Sequence, residues 1–191
     1  MLPNNAVEAA QQVLLPYLGQ AGTVVDATAG NGKDTLFLAR HTPPQALVWA
    51  FDIQAAALAQ TRDTLAAAGL VEKVRFCQTS HALLASVVPP PADAIMFNLG
   101  YLPGGDRRIT TEAATTLTAV SEAAMLLAPG GLMTIVVYPG HEPGRLEEEC
   151  LLPFLTALPQ RQFSVACLRM LNQRHQPPVL YAVERRRELK R

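Results

Sequence analysis

One turn near the start of the chain constrains the fold more than any other segment. Two β-branched residues precede Asp26 and predict a short buried strand, whereas the apolar run 36–39 predicts a helix. Small residues lie between them, and Gly30 and Gly32 permit a tight turn with close backbone approach. A strand that passes into a helix through such a turn is typical of nucleotide-binding α/β proteins. The other segments can therefore be placed relative to this turn.

Strand-like and helix-like segments alternate along the whole chain. Several strands are apolar throughout, as in the middle of a parallel sheet. The alternation predicts a Rossmann-like, doubly wound α/β sheet in a single domain, 1–191. No helix separates the last two strands, so the sheet is expected to be mostly parallel with an antiparallel final strand. The predicted strands are 23–27, 47–53, 74–78, 94–98, 132–138, 163–171 and 179–184, and the predicted helices are 4–18, 34–40, 55–68, 80–88, 110–127 and 144–158.

Composition excludes several classes of protein. Hydrophobic residues make up 49% of the chain and charged residues 17%, which is typical of a globular domain. No apolar run approaches the ~20 residues that span a bilayer, and no signal-peptide pattern opens the chain, so no membrane partner is expected. The cysteines at 77, 150 and 167 form no CxxC pair, which predicts no metal site and a reducing, cytoplasmic location. Cys77 and Cys167 are expected to be buried free thiols.

Charge is distributed unevenly although the net charge is zero. Residues 161–191 carry a net charge of +6 and residues 1–160 carry −6. A basic surface near the C-terminus could therefore face a polyanion. The terminal run 185–191, taken alone, is better interpreted as a solvated tail.

Carboxylates around the turn discriminate between cofactors. Ligands of an open α/β sheet bind beyond the carboxyl ends of its strands, where Asp26 and Asp34 flank the turn. Asp52 ends the next strand and can accept hydrogen bonds from both hydroxyls of a ribose. The third glycine of G-x-G-x-x-G is missing, and carboxylates repel a pyrophosphate. S-adenosylmethionine (SAM), which carries an ammonium group, a sulfonium and a ribose diol, is therefore favoured over NAD or ATP. Asp34 can alternatively be an ordinary helix cap.

The residues expected to bind the cofactor come from the turn and from the ends of the following strands. Ser80 and His81 follow the third strand, where an adenine-contacting pair would lie, although a histidine at a helix start can also serve local hydrogen bonding. The full predicted set is Asp26, Thr28, Gly30, Asn31, Gly32, Asp34, Thr35, Asp52, Gln54, Ser80, His81, Asn98, Leu99 and Gly100.

A second group of candidate residues follows the fourth strand. Asn98 ends that strand and opens a loop rich in glycine and proline. The side-chain carbonyl of Asn98 and the backbone carbonyl of Leu99 can orient an amine for in-line attack on a sulfonium carbon. Such an amine must be neutral, so Asp106 or His141 is expected to accept its proton. Tyr101 can stack on a base or simply pack. Asn98, Tyr101 and Asp106 are the predicted catalytic residues.

Three segments resemble the small class I methyltransferases of the rRNA methylase family: Asp26 to Leu36, Asn98 to Asp106, and Asn172 with Pro177 and Pro178. The resemblance covers almost the whole chain. It implies SAM as cofactor and N-methylation of the 5-aminomethyl group of a wobble uridine, with the anticodon stem-loop of tRNA as partner. A homodimer is an expectation taken from related small methyltransferases. The residues expected to contact substrate are Tyr101, Pro103, Arg107, Arg108, His141 and Asn172.

Other functions remain open at the level of sequence. A methyltransferase of this kind could act on rRNA or on a small molecule. An NAD-dependent oxidoreductase is disfavoured by the missing glycine and by the flanking aspartates. A non-catalytic RNA-binding module would give no reason for Asp26 and Asp52 to be acidic.

Overall fold

A computed structural model of the protein describes residues 2–101, 104 and 110–187. Helices and strands alternate, with short 3₁₀ turns at Val71–Lys73 and His81–Leu83. The elements in chain order are α1 (Ala6–Leu18), β1 (Thr23–Asp26), α2 (Lys33–His41), β2 (Leu47–Asp52), α3 (Ala55–Ala67), β3 (Val74–Gln78), α4 (Leu84–Val87), β4 (Ala92–Asn98), α5 (Ala113–Leu126), β5 (Leu127–Val137), α6 (Glu142–Ala157), β6 (Phe163–Arg169) and β7 (Val179–Arg185).

The seven strands form one sheet in the order β3-β2-β1-β4-β5-β7-β6. Strands β1 to β5 run parallel, whereas β7 is antiparallel to both β5 and β6. The prediction of a mostly parallel sheet with an antiparallel final strand is therefore confirmed. Strand β1 pairs with β2 on one side and with β4 on the other, which makes β1/β4 the topological switch point.

Helices cover both faces of the sheet. Alternate residues of a strand face opposite layers. Val24 of β1 therefore packs with the layer that contains α1, α2 and α3, and Val25 packs with the layer that contains α4, α5 and α6. Leu14 and Leu18 on α1 are completely buried, as are Ala119 of α5 and others on the far side. This close packing on both faces fixes the strand ends, from which the candidate site is built.

The first residues of β5 differ from the predicted turn. Leu127 already pairs with Ala92, and the register shifts before Leu132 pairs with Ala94. The segment 129–131 is therefore a bulge inside a strand that begins five residues earlier than predicted. Glycine allows such a bulge because Gly130 adopts a φ of +85°.

Cysteine burial also differs from the expectation. Cys77 is partly buried, but Cys167 is exposed because it lies on the edge strand β6. All three cysteines are free thiols. Among the described residues, no helix has the length and apolar character needed to cross a membrane.

Candidate cofactor and substrate site

A cavity of about 560 Å³ opens at the carboxyl edge of the sheet, beside the β1/β4 switch point. Its volume is in the range of small-molecule sites. It is lined by the loops that follow β1 to β5, because parallel strands end at the same edge. The predicted residues that the structure brings together here are Thr28, Gly30, Asn31, Asp34, Asp52, Gln54, Ser80, His81, Asn98, Leu99, Gly100, Tyr101 and His141.

Three residues predicted to touch the cofactor do not line this cavity. Asp26 is completely buried, and its carboxylate accepts hydrogen bonds from Thr35 Oγ1 at 2.6 Å and from the Thr28 N–H at 3.1 Å. Thr35 is also completely buried. Asp26, Thr35 and Gly32 thus support the turn from outside the cavity wall, and their predicted contact with the cofactor stays a prediction.

Gly32 is required by backbone geometry and by packing. Its φ is +78°, and a Cβ at this position would lie 2.9 Å from the Cα of Thr61 on α3. Thr61 Oγ1 in turn donates to the carbonyl of Gly30 at 3.0 Å. The glycine therefore allows α3 to pack against the turn.

The backbone N–H groups of the turn are already occupied. Those of Thr28, Ala29, Gly30 and Gly32 donate at 3.1, 2.8, 3.0 and 2.8 Å to acceptors within the protein. A dinucleotide site instead points such groups at the pyrophosphate. These four donors thus offer no cradle for a phosphate, which argues against the NAD-dependent alternative.

Asp52 is the acceptor for the Gly30 N–H. Its Oδ2 receives that bond at 3.0 Å, and its Oδ1 receives the Gln54 N–H at 2.9 Å. Each carboxylate oxygen has a further lone pair available. Because Asp52 also lines the cavity, it can accept hydrogen bonds from a ribose diol there.

Asp34 belongs to a hydrogen-bond network and does not cap α2. The N-cap of α2 is Gly32, with no side-chain cap bond. Gln11 Nε2 donates to Asp34 Oδ1 at 2.8 Å, and Asn98 Nδ2 donates to Asp34 Oδ2 at 3.3 Å. Tyr138 Oη then donates to Asn98 Oδ1 at 2.8 Å. The interpretation of Asp34 as a cap is corrected, and the Asn98 amide is fixed from both sides.

Burial shifts the titration of this network. It raises the pKa of Asp34 and raises the pKa of Tyr138 to about 12, so the tyrosine hydroxyl stays protonated as a donor. Burial, together with the nearby charge of Asp34, raises the pKa of Asp26 to about 7. Asp26 and Asp34 therefore resist ionisation while they lie side by side. A cationic ligand bound nearby stabilises the ionised form of both carboxyls.

His141 lies at the N-cap of α6 and lines the cavity. Its Nδ1 accepts a hydrogen bond from the Gly144 N–H at 3.2 Å. In the neutral ring the proton then sits on Nε2, which makes His141 a donor. This geometry opposes its predicted role as proton acceptor. The ring of Tyr101, 39% exposed, lies 6.0 Å from that of His141.

His81 is buried at the start of a 3₁₀ turn. Burial lowers its pKa, which favours the neutral ring. Its Nε2 is buried and finds no hydrogen-bond partner in the described part of the chain. A buried polar atom beside a cavity fits contact with a ligand. Ser80 lines the same wall, but its Oγ also accepts from the Ala82 N–H at 3.2 Å.

Several predicted residues lie elsewhere. Asn172 is exposed between β6 and β7 and does not line the cavity, and its predicted contact with the substrate stays a prediction. Pro103, Asp106, Arg107 and Arg108 lie outside the described residues, so their roles stay predictions. Within the described ranges, no group of three or more metal-ligating side chains is present.

Sequence reasoning missed several residues of the cavity wall. Tyr138 directly follows β5, and the rule that ligands bind beyond strand ends could have found it. Gln11 on α1 does not line the cavity but supports it by donating to Asp34, and its position far from any motif gave no signal. The other missed lining residues with polar side chains are Lys33, Thr79, Thr110, Thr111, Glu112 and Thr115.

The fold and the site together define a class I methyltransferase: five parallel strands, an antiparallel β7 between β5 and β6, and a cavity at the β1/β4 switch point. A family model described as "Putative rRNA methylase" matches residues 48–184, and the chain belongs to this family. The family predicted from the sequence is therefore confirmed.

Relatives of known name and structure extend this result. The chain is 37% identical over 190 residues to an Arabidopsis thaliana protein named tRNA (mnm5s2U34)-methyltransferase, chloroplastic, covering 94% of this chain and 69% of that one. A crystal structure from Clostridium thermocellum, described as a "putative rRNA-methylase", has a TM-score of 0.93 and 37% identity, covering 97% of this chain and 100% of that one. A crystal structure from Streptococcus mutans, described as a "putative methyltransferase" in complex with SAH, has a TM-score of 0.87 and 34% identity, covering 96% of this chain and 99% of that one.

Proposed function

We propose that this protein is a SAM-dependent N-methyltransferase that converts the 5-aminomethyl group of the tRNA wobble uridine, thiolated or not, into 5-methylaminomethyl. The choice of SAM as cofactor rests on the turn after β1. Four N–H groups of this turn are occupied, and the residues Asp34 and Asp52 beside it are acidic. The S. mutans relative in complex with SAH supports it. The substrate is supported by the name of the Arabidopsis relative.

The cavity residues fit SAM by their chemistry. Asp52 would hold the ribose diol, and Asp34 would face the ammonium group, which a carboxylate stabilises and a phosphate-binding turn does not. His81 offers a buried ring nitrogen to the adenine. When bound, SAM supplies an electrophilic methyl group on a positively charged sulfur.

The residues of the chain align the acceptor amine. Asn98 ends β4, and Tyr138 and Asp34 hold its amide in one orientation. Alignment of two reacting groups in one site can contribute ~7–11 kcal/mol to catalysis. In the transfer, the amine nitrogen forms a bond to the methyl carbon, the carbon–sulfur bond breaks, and one proton leaves the nitrogen. Asp106 stays the predicted proton acceptor, because His141 is arranged as a donor.

A methylation assay tests this function. The purified protein is incubated with SAM and with tRNA that carries unmethylated 5-aminomethyluridine, and the nucleosides are then measured by mass spectrometry. We expect 5-methylaminomethyluridine to appear with wild type and to fall at least tenfold with Asn98→Ala. A parallel reaction with rRNA tests the substrate suggested by the family description. Methylated rRNA with unchanged tRNA would overturn the tRNA assignment.

Three further assignments are part of the proposal. Residues 1–191 are proposed to form one domain, a homodimer is proposed as the assembly, and the cytoplasm is proposed as the location. The Arabidopsis relative is named as chloroplastic.

A further inference from the structure

The basic residues near the C-terminus are divided between opposite edges of the sheet. At the start of β7, Val179 pairs with Val137, beside the cavity. Near its end, Glu184 pairs with Leu132, at the far edge. A strand rises ~3.3 Å per residue, so Arg185 lies roughly 20 Å from the cavity edge. Within the described ranges, the predicted basic surface is therefore not continuous, and Arg185 lies at the edge of the sheet opposite the site.

At the far edge, the side chain of Arg185 and the backbone of Arg186 already have hydrogen-bond partners. Arg185 Nη1 donates to the carbonyls of Met125 at 2.9 Å and Leu127 at 2.7 Å, where α5 passes into β5. The Arg186 N–H donates to the carbonyl of Gln162 at 2.7 Å. These contacts anchor the end of β7 to its neighbours and give Arg185 a structural role.

The segment 170–178 between β6 and β7, called here the β6–β7 loop, lies at the cavity edge. Arg169 of β6 pairs with Val179 at this edge. The loop packs against Gly140, where a Cβ would lie 3.2 Å from the carbonyl oxygens of His175 and Gln176. Gly140 is next to His141, which lines the cavity. The β6–β7 loop therefore borders the cavity on the side that contains His141.

The backbone of this loop is held in a costly shape. His175 has a φ of +64° and Gln176 a φ of +51°, although neither is glycine. Left-handed conformations of residues other than glycine are strained, because the Cβ comes too close to the backbone. Gln173 Nε2 anchors the loop further by donating to the carbonyl of Asn4 at 2.8 Å. The fold thus holds an exposed loop in one strained conformation, which points to a function for that shape.

The loop offers groups that suit RNA. It contains no carboxylate, Arg174 is exposed, and Arg174 makes no ion pair with a described residue. Leu171 is 92% exposed and gives apolar surface to an unstacked base. In the cavity itself, Asp34, Asp52 and Glu112 outnumber the single cation Lys33, so the lining disfavours phosphates on balance. An RNA backbone that crosses this edge therefore needs cations at the rim.

We propose that the β6–β7 loop is the RNA-docking surface beside the site and that Arg174 binds a phosphate flanking the target nucleotide. The proposal rests on the proposed function, because it takes an RNA substrate as given. At physiological salt the Debye length is ~8 Å, so cations roughly 20 Å away contribute little to that phosphate. Arg174 therefore determines affinity near the target nucleotide, and Arg186 does not.

Binding of a fluorescent anticodon stem-loop RNA at several salt concentrations tests this assignment. We expect Arg174→Ala to weaken binding about tenfold or more, since a hydrogen bond to a charged group is lost and a tenfold change corresponds to ~1.4 kcal/mol. The slope of log affinity against log salt is expected to fall by ~0.7, as for one lost phosphate contact. Arg174→Lys is expected to keep most of the affinity. The matched control Arg186→Ala, which removes an exposed arginine at the far edge, is expected to leave both quantities unchanged.

The controls separate the inference from the proposed function. Unchanged SAM affinity and melting temperature of Arg174→Ala show that the variant is folded. If the wild-type protein methylates tRNA while Arg174→Ala binds RNA as tightly as wild type, the proposed docking surface is wrong and the proposed function is retained. A larger loss with Arg186→Ala than with Arg174→Ala also overturns the inference. If wild type methylates no tRNA, the proposed function itself fails.

Discussion

Tyr138 controls the orientation of Asn98 without being part of any sequence motif. Its hydroxyl donates to Asn98 Oδ1, while the amide nitrogen of Asn98 donates to Asp34. Since the hydroxyl stays protonated, this contact holds the amide against rotation. Tyr138 is therefore a positioning residue for the predicted catalytic side chain, and Gln11 extends the same network from α1.

Replacing Tyr138 by phenylalanine tests this positioning role. We expect kcat to fall about tenfold or more, because a displacement near 1 Å in a reacting group can cost ~100-fold. The affinity for SAM, measured by calorimetry, should stay within twofold of wild type. Tyr181→Phe is the matched control, since its hydroxyl donates to Glu148 at 2.7 Å, outside the cavity wall. Equal kcat losses in both variants would contradict the assignment.

The Asp26 carboxyl links stability to pH. Its pKa is about 7 in the folded protein against 3.8 ordinarily, so between these values the folded state holds a proton that the unfolded chain has released. Stability from this group is complete below about pH 4 and is lost as the pH rises through 7. Relative to Asp26→Asn, wild type is expected to gain roughly 1–3 kcal/mol of unfolding free energy between pH 8 and pH 5. Urea denaturation at each pH measures the unfolding free energy of both proteins. Parallel plots of unfolding free energy against pH would exclude a contribution of Asp26 to the pH dependence of stability.

At the scale of elements, the packing of α3 against the turn determines how well Gly32 tolerates a larger residue, and Gly69 provides the comparison. Gly32 and Gly69 have φ values of +78° and +69°, so alanine is strained at both positions. A Cβ at 69 meets nothing within 4 Å, whereas a Cβ at 32 meets the Thr61 backbone. We expect Gly32→Ala to destabilise the protein by roughly 1–3 kcal/mol more than Gly69→Ala, because overpacking adds to the strain. Equal unfolding midpoints in urea for the two variants would contradict this expectation and would show that α3 moves to accommodate the added methyl group.

Periodicity located the elements, but contacts between distant segments decided the details. Apolar runs and helix breakers were enough to predict the elements and a doubly wound sheet, because each signal is local. The bulge at Gly130 looked like a turn, since Pro-Gly-Gly usually ends an element, and the pairing of Leu127 with Ala92 overrides that preference. Likewise, Gly32 looked like a cofactor contact because only tertiary structure reveals that Thr61 lies behind it.

In the candidate site, too, some features could be predicted from local sequence and others depend on tertiary contacts. Asp52 and Asn98 were predicted near the cavity from their places at strand ends, and the structure puts both there. Asp26 occupies an equivalent strand end, yet its side chain turns inward to Thr35. The side-chain direction at a strand end depends on which hydrogen-bond partners the following loop provides, and spacing alone does not encode that choice.

At the scale of the whole molecule, ligand binding should stabilise the fold selectively. SAM at 100 times its Kd adds ~2.7 kcal/mol to the unfolding free energy. For a chain of this length we expect the melting temperature to rise by roughly 5–10 °C. NADH should produce no shift, since the N–H groups of the turn are occupied. Thermal denaturation with each ligand measures this, and a shift with NADH alone would reject the cofactor assignment.

The contact between Gly30 and Asp52 has a consequence for the redesign of such enzymes. The carboxylate proposed to hold the ribose is the same group that accepts the Gly30 N–H, and it keeps this amide from facing a phosphate. Replacing Asp52 by alanine is therefore expected to weaken ribose binding and to free the Gly30 N–H in the same step.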